Sequence, residues 1–190
     1  MSLSLQVACA ARPMPGERAC GDRAVTWDDG EVVVVAVIDG LGHGPAAASA
    51  AEAAVSHIAD HLGEPLTELL RGCDAALRGG RGVVATVVRI RRSNGAAEYI
   101  AVGNVEARIA GGGDVPLIPT PGVVGMRLQA LRERAFTLRA GCTLVIYTDG
   151  ISSRFRLDEL HGRPAAAIVR TLLAEHAKNH DDAGCAVVVT

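Results

Sequence analysis

Aromatic residues are scarce in this chain: one tryptophan, two tyrosines and two phenylalanines in 190 residues. So few rings cannot build the stacking platforms that hold single-stranded nucleic acid. A basic block is missing too. Nineteen Lys and Arg stand against 21 Asp and Glu, a formal net charge of −2, which gives no electrostatic footprint for a phosphate backbone. Lys178 is the only lysine and does not follow a glycine, so the Gly-Lys-Ser/Thr step of a P-loop is excluded. The longest purely aliphatic run, Val32–Ile38, is far short of the ~20 residues that cross a bilayer. Leu3–Ala11 is apolar but has no basic residue before it, unlike a signal peptide. Five scattered cysteines (9, 20, 73, 142 and 185) contain no Cys-x-x-Cys pair. An odd, dispersed set suits small buried apolar residues and not a disulfide framework or a thiolate zinc site. The expectation is a cytoplasmic protein with no nucleic-acid partner and no membrane attachment.

With 49% hydrophobic residues the chain has enough apolar surface to offset the entropy of folding. Its length predicts one domain over residues 1–190. Strands are predicted at Leu3–Ala11, and at Asp22–Trp27 and Glu31–Ile38 around the Asp28-Asp29-Gly30 turn. A second hairpin joins Val83–Arg92 to Ala96–Val102 through Ser93-Asn94-Gly95. Gly103-Asn104 turns into Val105–Ala110, which Gly111-Gly112-Gly113 closes, and strands return at Cys142–Thr148 and Cys185–Val189. Helices are predicted at Pro45–Leu62, Pro65–Leu77 and Pro164–Asn179. Val32–Ile38 and Leu144–Tyr147 are apolar on both faces, as central strands are. The pattern is α+β: an antiparallel meander with helices packed outside.

Asp39 follows one of these buried strands and Asp149 the other, and each precedes a glycine, Gly40 and Gly150. A carboxylate at the mouth of a buried strand is unfavourable unless paired or bound to a cation. Asp22 opens another strand, and Asp181-Asp182 precedes the last. Such a set of carboxylates fits an oxygen-ligand site for Mg²⁺ or Mn²⁺, although Asp-Gly is also an ordinary turn pair. Asp39-Gly40-Leu41-Gly42-His43-Gly44-Pro45 is not a dinucleotide fingerprint, because Pro45 stands at the third glycine position. His57 and His61 lack the Glu of a zinc-binding HExxH helix and read as a solvated helix face. His43, inside the glycine loop, is placed to contact a ligand or a bound water.

Asp39-Gly40-Leu41-Gly42-His43-Gly44 before an Ala-rich helix, Thr148-Asp149-Gly150 after an apolar strand, and Asp181-Asp182 before the last strand resemble the metal-dependent protein phosphatases of the type 2C class. The resemblance runs from about Glu17 to Val189 and is closest to small bacterial members, including stressosome feedback phosphatases. It implies two antiparallel β-sheets packed face to face and flanked by α-helices. It also implies two Mn²⁺ or Mg²⁺ ions, with Asp39 bridging them, the Gly40 carbonyl on one, Asp149 and Asp181 completing the second, and Asp22 on the first directly or through water. Asp39 and Asp149 would then carry catalysis by metal-activated water. Arg18 lies near the family's phosphate-binding arginine, one residue out of register, and with His43 is a candidate substrate-binding residue. Leu41 stands where larger relatives carry a histidine that protonates the leaving group, so that role falls to water or His43. Gly21 replaces an acidic residue, and Asp182-Ala183-Gly184 leaves Asp181 and Asp182 as alternative ligands.

The resemblance, including the Pro119–Gly125 segment, implies a monomeric serine/threonine phosphatase with no sensor module before it. Its expected substrates are phosphorylated STAS-domain stressosome scaffold proteins. The alternative is a non-catalytic phosphoprotein-binding module that keeps the fold.

Overall fold

The computed structural model describes residues 3–112 and 115–190; Gly113, the last of the predicted strand-closing glycines, lies outside them. In chain order the strands are β1 (Gln6–Arg12), β2 (Asp22–Asp28), β3 (Val32–Gly40), β4 (Val83–Arg91), β5 (Ala96–Val102), β6 (Glu106–Ala110), β7 (Gly122–Val123), β8 (Arg127–Leu128), β9 (Arg134–Thr137), β10 (Thr143–Tyr147) and β11 (Ala183–Val189). The helices are α1 (Pro45–Asp60), α2 (Leu66–Leu77), α3 (Leu157–Leu160) and α4 (Ala165–Thr171).

Two antiparallel sheets stack face to face. One has the order β2-β3-β4-β5-β9 and the other β1-β11-β10-β6, with β7-β8 a small separate ribbon. The alternation of each strand sorts its residues into layers. Val33, Val35 and Val37 of β3 point inward and meet Leu144, Ile146, Ala186 and Val188 of the facing sheet. Val34, Ala36 and Ile38, from the opposite face of β3, pack on Ala54 and Ile58 of α1 and Leu69 and Leu70 of α2. Val145 and Val187 likewise cover Leu157, Leu160 and Ile168 of α3 and α4. β3 and β10 are therefore covered on both sides, which is why each reads as an uninterrupted apolar run. The β4–β5 hairpin forms at the predicted turn, where Gly95 supplies φ +71° and the Asn94 carboxamide oxygen accepts the Ala96 N–H at 3.0 Å.

Three predictions need correction. The helix expected over Pro164–Asn179 is α-helical only to Thr171 and continues as a π-helical turn over Leu172–His176. It stops because the chain is drawn into a β-bridge between Ile151 and Ala177, with the Ser152 N–H donating to the His176 carbonyl at 2.8 Å. β9 and α3 were not anticipated, since Arg134–Thr137 and Leu157–Leu160 are too short to show a clear period. His57 and His61 do not lie on a solvated face: both are half-buried, and their rings stack at 4.1 Å. A Cβ on Gly72 of α2 would run into the His57 ring, so the absent side chain there lets the two helices close over it. Among the described residues no helix is long and apolar enough to cross a membrane.

Candidate metal centre

The register of β2 on β3 places Asp22 directly opposite Asp39. Two carboxylates facing each other across a strand pair are unfavourable without a compensating cation. Asp39 is the penultimate residue of β3; Asp149 emerges two residues beyond the end of β10, on the facing sheet. Thr148 connects the two sheets. Its hydroxyl donates to Asp22 Oδ2 at 2.6 Å and accepts the Gly184 N–H of β11 at 3.0 Å. The Asn104 carboxamide donates to Asp149 Oδ2 at 2.8 Å. Thr148 and Asn104 thus aim two of the carboxylates, roles not read from the sequence. Gly103-Asn104 gave only a turn signal, and its partner lies 45 residues away.

Burial pushes the Asp39 carboxyl up to about 8, and the charges of Asp22, Asp149 and Asp181 add to that. Asp22 is raised to about 7, chiefly by burial, against the lowering effect of its Thr148 hydrogen bond. Asp181 is also raised, by burial and then by Asp149, while Lys178 works in the opposite direction. Asp22, Asp39, Asp149 and Asp181 therefore share one neighbourhood and repel one another. Among the described residues no three acid, imidazole or thiol groups close into a ready-made cage around one point. Neighbouring hard oxygen donors that do not enclose a point suit Mg²⁺ or Mn²⁺, which keep several bound waters and take only one or two protein carboxylates each. The donor set fits the implied ions.

Asp181 and Asp182, alternatives in the sequence, occupy different environments. Asp182 is 3% exposed and accepts the Met14 N–H at 2.7 Å and the Gly21 N–H at 2.6 Å. Its two oxygens anchor both ends of the segment between β1 and β2. Asp181 is half-buried and is repelled by the neighbouring charge of Asp149. The glycines are needed for close packing: a Cβ on Gly40 would run into the Ala47 carbonyl of α1, and one on Gly150 into the Asp182 carbonyl. A Cβ on Gly21 would stand 2.9 Å from Ala47 Cβ and 3.1 Å from Asp182 Oδ2, so the acidic side chain found here in larger relatives has no room.

Arg18 is exposed on the anchored segment between β1 and β2. His43 is exposed as well, with Nδ1 3.2 Å from Glu17 Oε1, and so ties the glycine loop to that same segment. Leu41 is fixed by its backbone, its N–H donating to the Gly82 carbonyl at 3.0 Å and its own carbonyl accepting from Arg81 at 2.8 Å.

The model of the stage II sporulation protein E (SpoIIE) family matches residues 29–189. The chain belongs to the SpoIIE family. Phosphoserine phosphatase RsbX of Bacillus subtilis (strain 168) is 26% identical over 139 residues, 72% of this chain and 70% of that one. The crystal structure of RsbX in complex with magnesium matches with a TM-score of 0.87 at 22% identity, covering 97% of this chain and 94% of that one. A second structure comes from the bacterial stressosome, described as a modular system adapted to control secondary messenger signaling. It matches with a TM-score of 0.89 at 30% identity over 97% of this chain and 99% of that one. The PP2C phosphatase domain of SpoIIE from Bacillus subtilis matches at 0.80 and 16% identity, covering 99% of this chain and 63% of that one. The SpoIIE-family fold is thus the two-sheet PP2C phosphatase fold, as the resemblance implied.

Proposed function

We propose that this SpoIIE-family chain is a divalent-metal-dependent phosphoprotein phosphatase that hydrolyses phosphoserine and phosphothreonine. The observation that carries the reading is the Asp22–Asp39 pair, set opposite each other on adjacent strands with Asp149 and Asp181 as charged neighbours. So much repulsion concentrated in one place makes physical sense around cations. Two Mn²⁺ or Mg²⁺ ions, when bound, would activate water as the nucleophile and offset the charge of the phosphoryl group.

Asp39, the Gly40 carbonyl, Asp149 and Asp181 would hold the ions, with Asp22 on the first directly or through water. Asn104 keeps Asp149 in one orientation through its 2.8 Å hydrogen bond, and Thr148 does the same for Asp22. Asp182 is assigned to structure instead, since it is buried and each of its oxygens already accepts a backbone N–H. No side chain of the chain need form a covalent bond to phosphorus. Leu41 offers no proton, so the leaving serine oxygen takes one from water or from His43. Arg18 and His43, exposed on adjoining segments, are assigned to meeting the substrate.

RsbX is by name a phosphoserine phosphatase, and a 30% identical structure is described as of the bacterial stressosome. These support phosphorylated STAS-domain scaffold proteins of a stressosome as substrates; the acting form we propose is a cytoplasmic monomer. The test is phosphate release from such a phosphoprotein and from a generic phosphoserine peptide, each with Mn²⁺, with Mg²⁺ and with chelator. Metal-dependent release that is faster from the scaffold protein supports the whole reading. Equal rates would remove the scaffold assignment, and release indifferent to chelator would remove the metal mechanism.

A further inference from the structure

A cavity of about 340 Å³ opens beside the proposed metal centre, with Asp149 and Asn104 in its lining. Arg154, Lys178, Glu106 and Ser152 also line it. Of its two acids, Asp149 is assigned to the ions, and Glu106 already accepts the Tyr147 hydroxyl at 2.5 Å. Among the described residues neither Arg154 nor Lys178 is in an ion pair, although the Lys178 charge is felt at Asp181.

Lys178 is the chain's single lysine, and its backbone is held at both ends. Its N–H donates to the Gly150 carbonyl at 2.7 Å, and its carbonyl accepts from Arg12 Nη2 at 2.8 Å. The Ile151–Ala177 bridge completes the attachment. Lys178 is therefore locked in register with the Asp149-Gly150 step, and Arg154 follows four residues after Gly150 on the same segment. The π-helical turn at Leu172–His176 is what delivers Lys178 to this place instead of carrying it away on a longer helix.

We propose that this cavity is a side-chain subsite in which Arg154 and Lys178 receive an acidic residue flanking the phosphorylated serine or threonine of the substrate. The proposal rests on the phosphatase reading above and adds to it a sequence preference. The cavity begins at Asp149, so a residue flanking a phosphoserine bound at the carboxylates is within its reach. A planar guanidinium and an ammonium together match a carboxylate. The same pair repels a basic residue and leaves a neutral one unmatched, so discrimination arises from both attraction and repulsion.

The test uses the full chain with Mn²⁺ and three substrates: two phosphoserine peptides that differ only in a flanking Glu or Lys, and p-nitrophenyl phosphate. The wild type is expected to favour the Glu peptide by about tenfold in kcat/KM, mostly through KM, the size of one modest charge contact. Arg154→Ala combined with Lys178→Ala should shrink that preference to about twofold or less. Absence of a Glu-over-Lys preference in the wild type would overturn the subsite. So would an equal loss by the double variant on both peptides and on p-nitrophenyl phosphate, which would assign the cations to the phosphoryl group itself. If the wild type hydrolyses none of the three with metal, the phosphatase reading fails, and the subsite with it. The small ester, which has no flanking residue, tells that failure apart from the first two.

Discussion

Asp182 accepts the backbone N–H of Gly21 at 2.6 Å across 161 residues of sequence. That bond ties the start of β11 to the approach to β2, and the Met14 N–H on the same carboxylate, at 2.7 Å, closes the tie. One carboxylate of an adjacent pair is thus held in structure, and Asp181 is the one proposed to hold the ions.

The two positions should separate cleanly on substitution. Asp182→Ala orphans two N–H donors beside a buried site and is expected to destabilise the metal-free protein by about 3 kcal/mol, a fall in Tm of roughly 6–12 °C. Asp181→Ala removes a carboxyl that its neighbours repel, so its metal-free Tm should hold or rise, while metal-dependent turnover drops well over tenfold. Thermal melts in chelator, together with phosphate release in Mn²⁺, check both.

Introducing at Gly21 the acid that the resemblance implies for larger relatives should fail. Gly21→Asp would place Cβ 3.1 Å from Asp182 Oδ2 and 2.9 Å from Ala47 Cβ, adding a charge against a buried carboxylate. The expected result is a Tm at least several degrees lower with no gain in turnover, measured in parallel with Gly21→Ala to separate charge from volume.

Gly150→Ala should be worse tolerated than either, because the new Cβ would run into the Asp182 carbonyl. Backbone cannot swing aside as a flexible side chain can. Loss of soluble protein, or a Tm lower than that of Asp182→Ala, is the expected outcome in a side-by-side melt.

Asp39 and Asp22, raised to about 8 and about 7 from an unfolded value of 3.8, set a pH dependence. Between roughly pH 4 and 8 the metal-free native state holds more protons than the unfolded chain, so its stability falls as pH rises through that window. Divalent ions compete with those protons, and the stabilisation they give should grow with pH. Melts in chelator and in 1 mM-range Mn²⁺ from pH 5 to 8.5 should therefore diverge; parallel curves would contradict the shared-charge account.

Much of the layout was readable because β-branched runs and turn residues act locally. Val32–Ile38 announced a strand covered on both faces, and Ser93-Asn94-Gly95 a hairpin. The carboxylates at strand ends were readable for a related reason, since polar groups beside apolar runs stand out. What local pattern could not show were partners far along the chain. Asp181 and Asp182 are the same residue type side by side, and only the bonds to Met14 and Gly21 distinguish them. The helix ending at His176 is set by the pull of Ile151 on Ala177, not by any breaker in its own sequence. His57 looked solvated because nearby Asp60 is, yet Gly72 on the next helix makes room to cover half of it.

The most direct measurement is hydrolysis of a phosphoserine peptide by wild type and Asp39→Asn, with Mn²⁺ binding to both followed by calorimetry. The account predicts metal-dependent turnover by the wild type, a folded Asp39→Asn protein with turnover lost by a factor of 100 or more, and weakened Mn²⁺ binding, on the order expected for removing a direct ligand. An Asp39→Asn enzyme that binds Mn²⁺ and turns over like the wild type would contradict it.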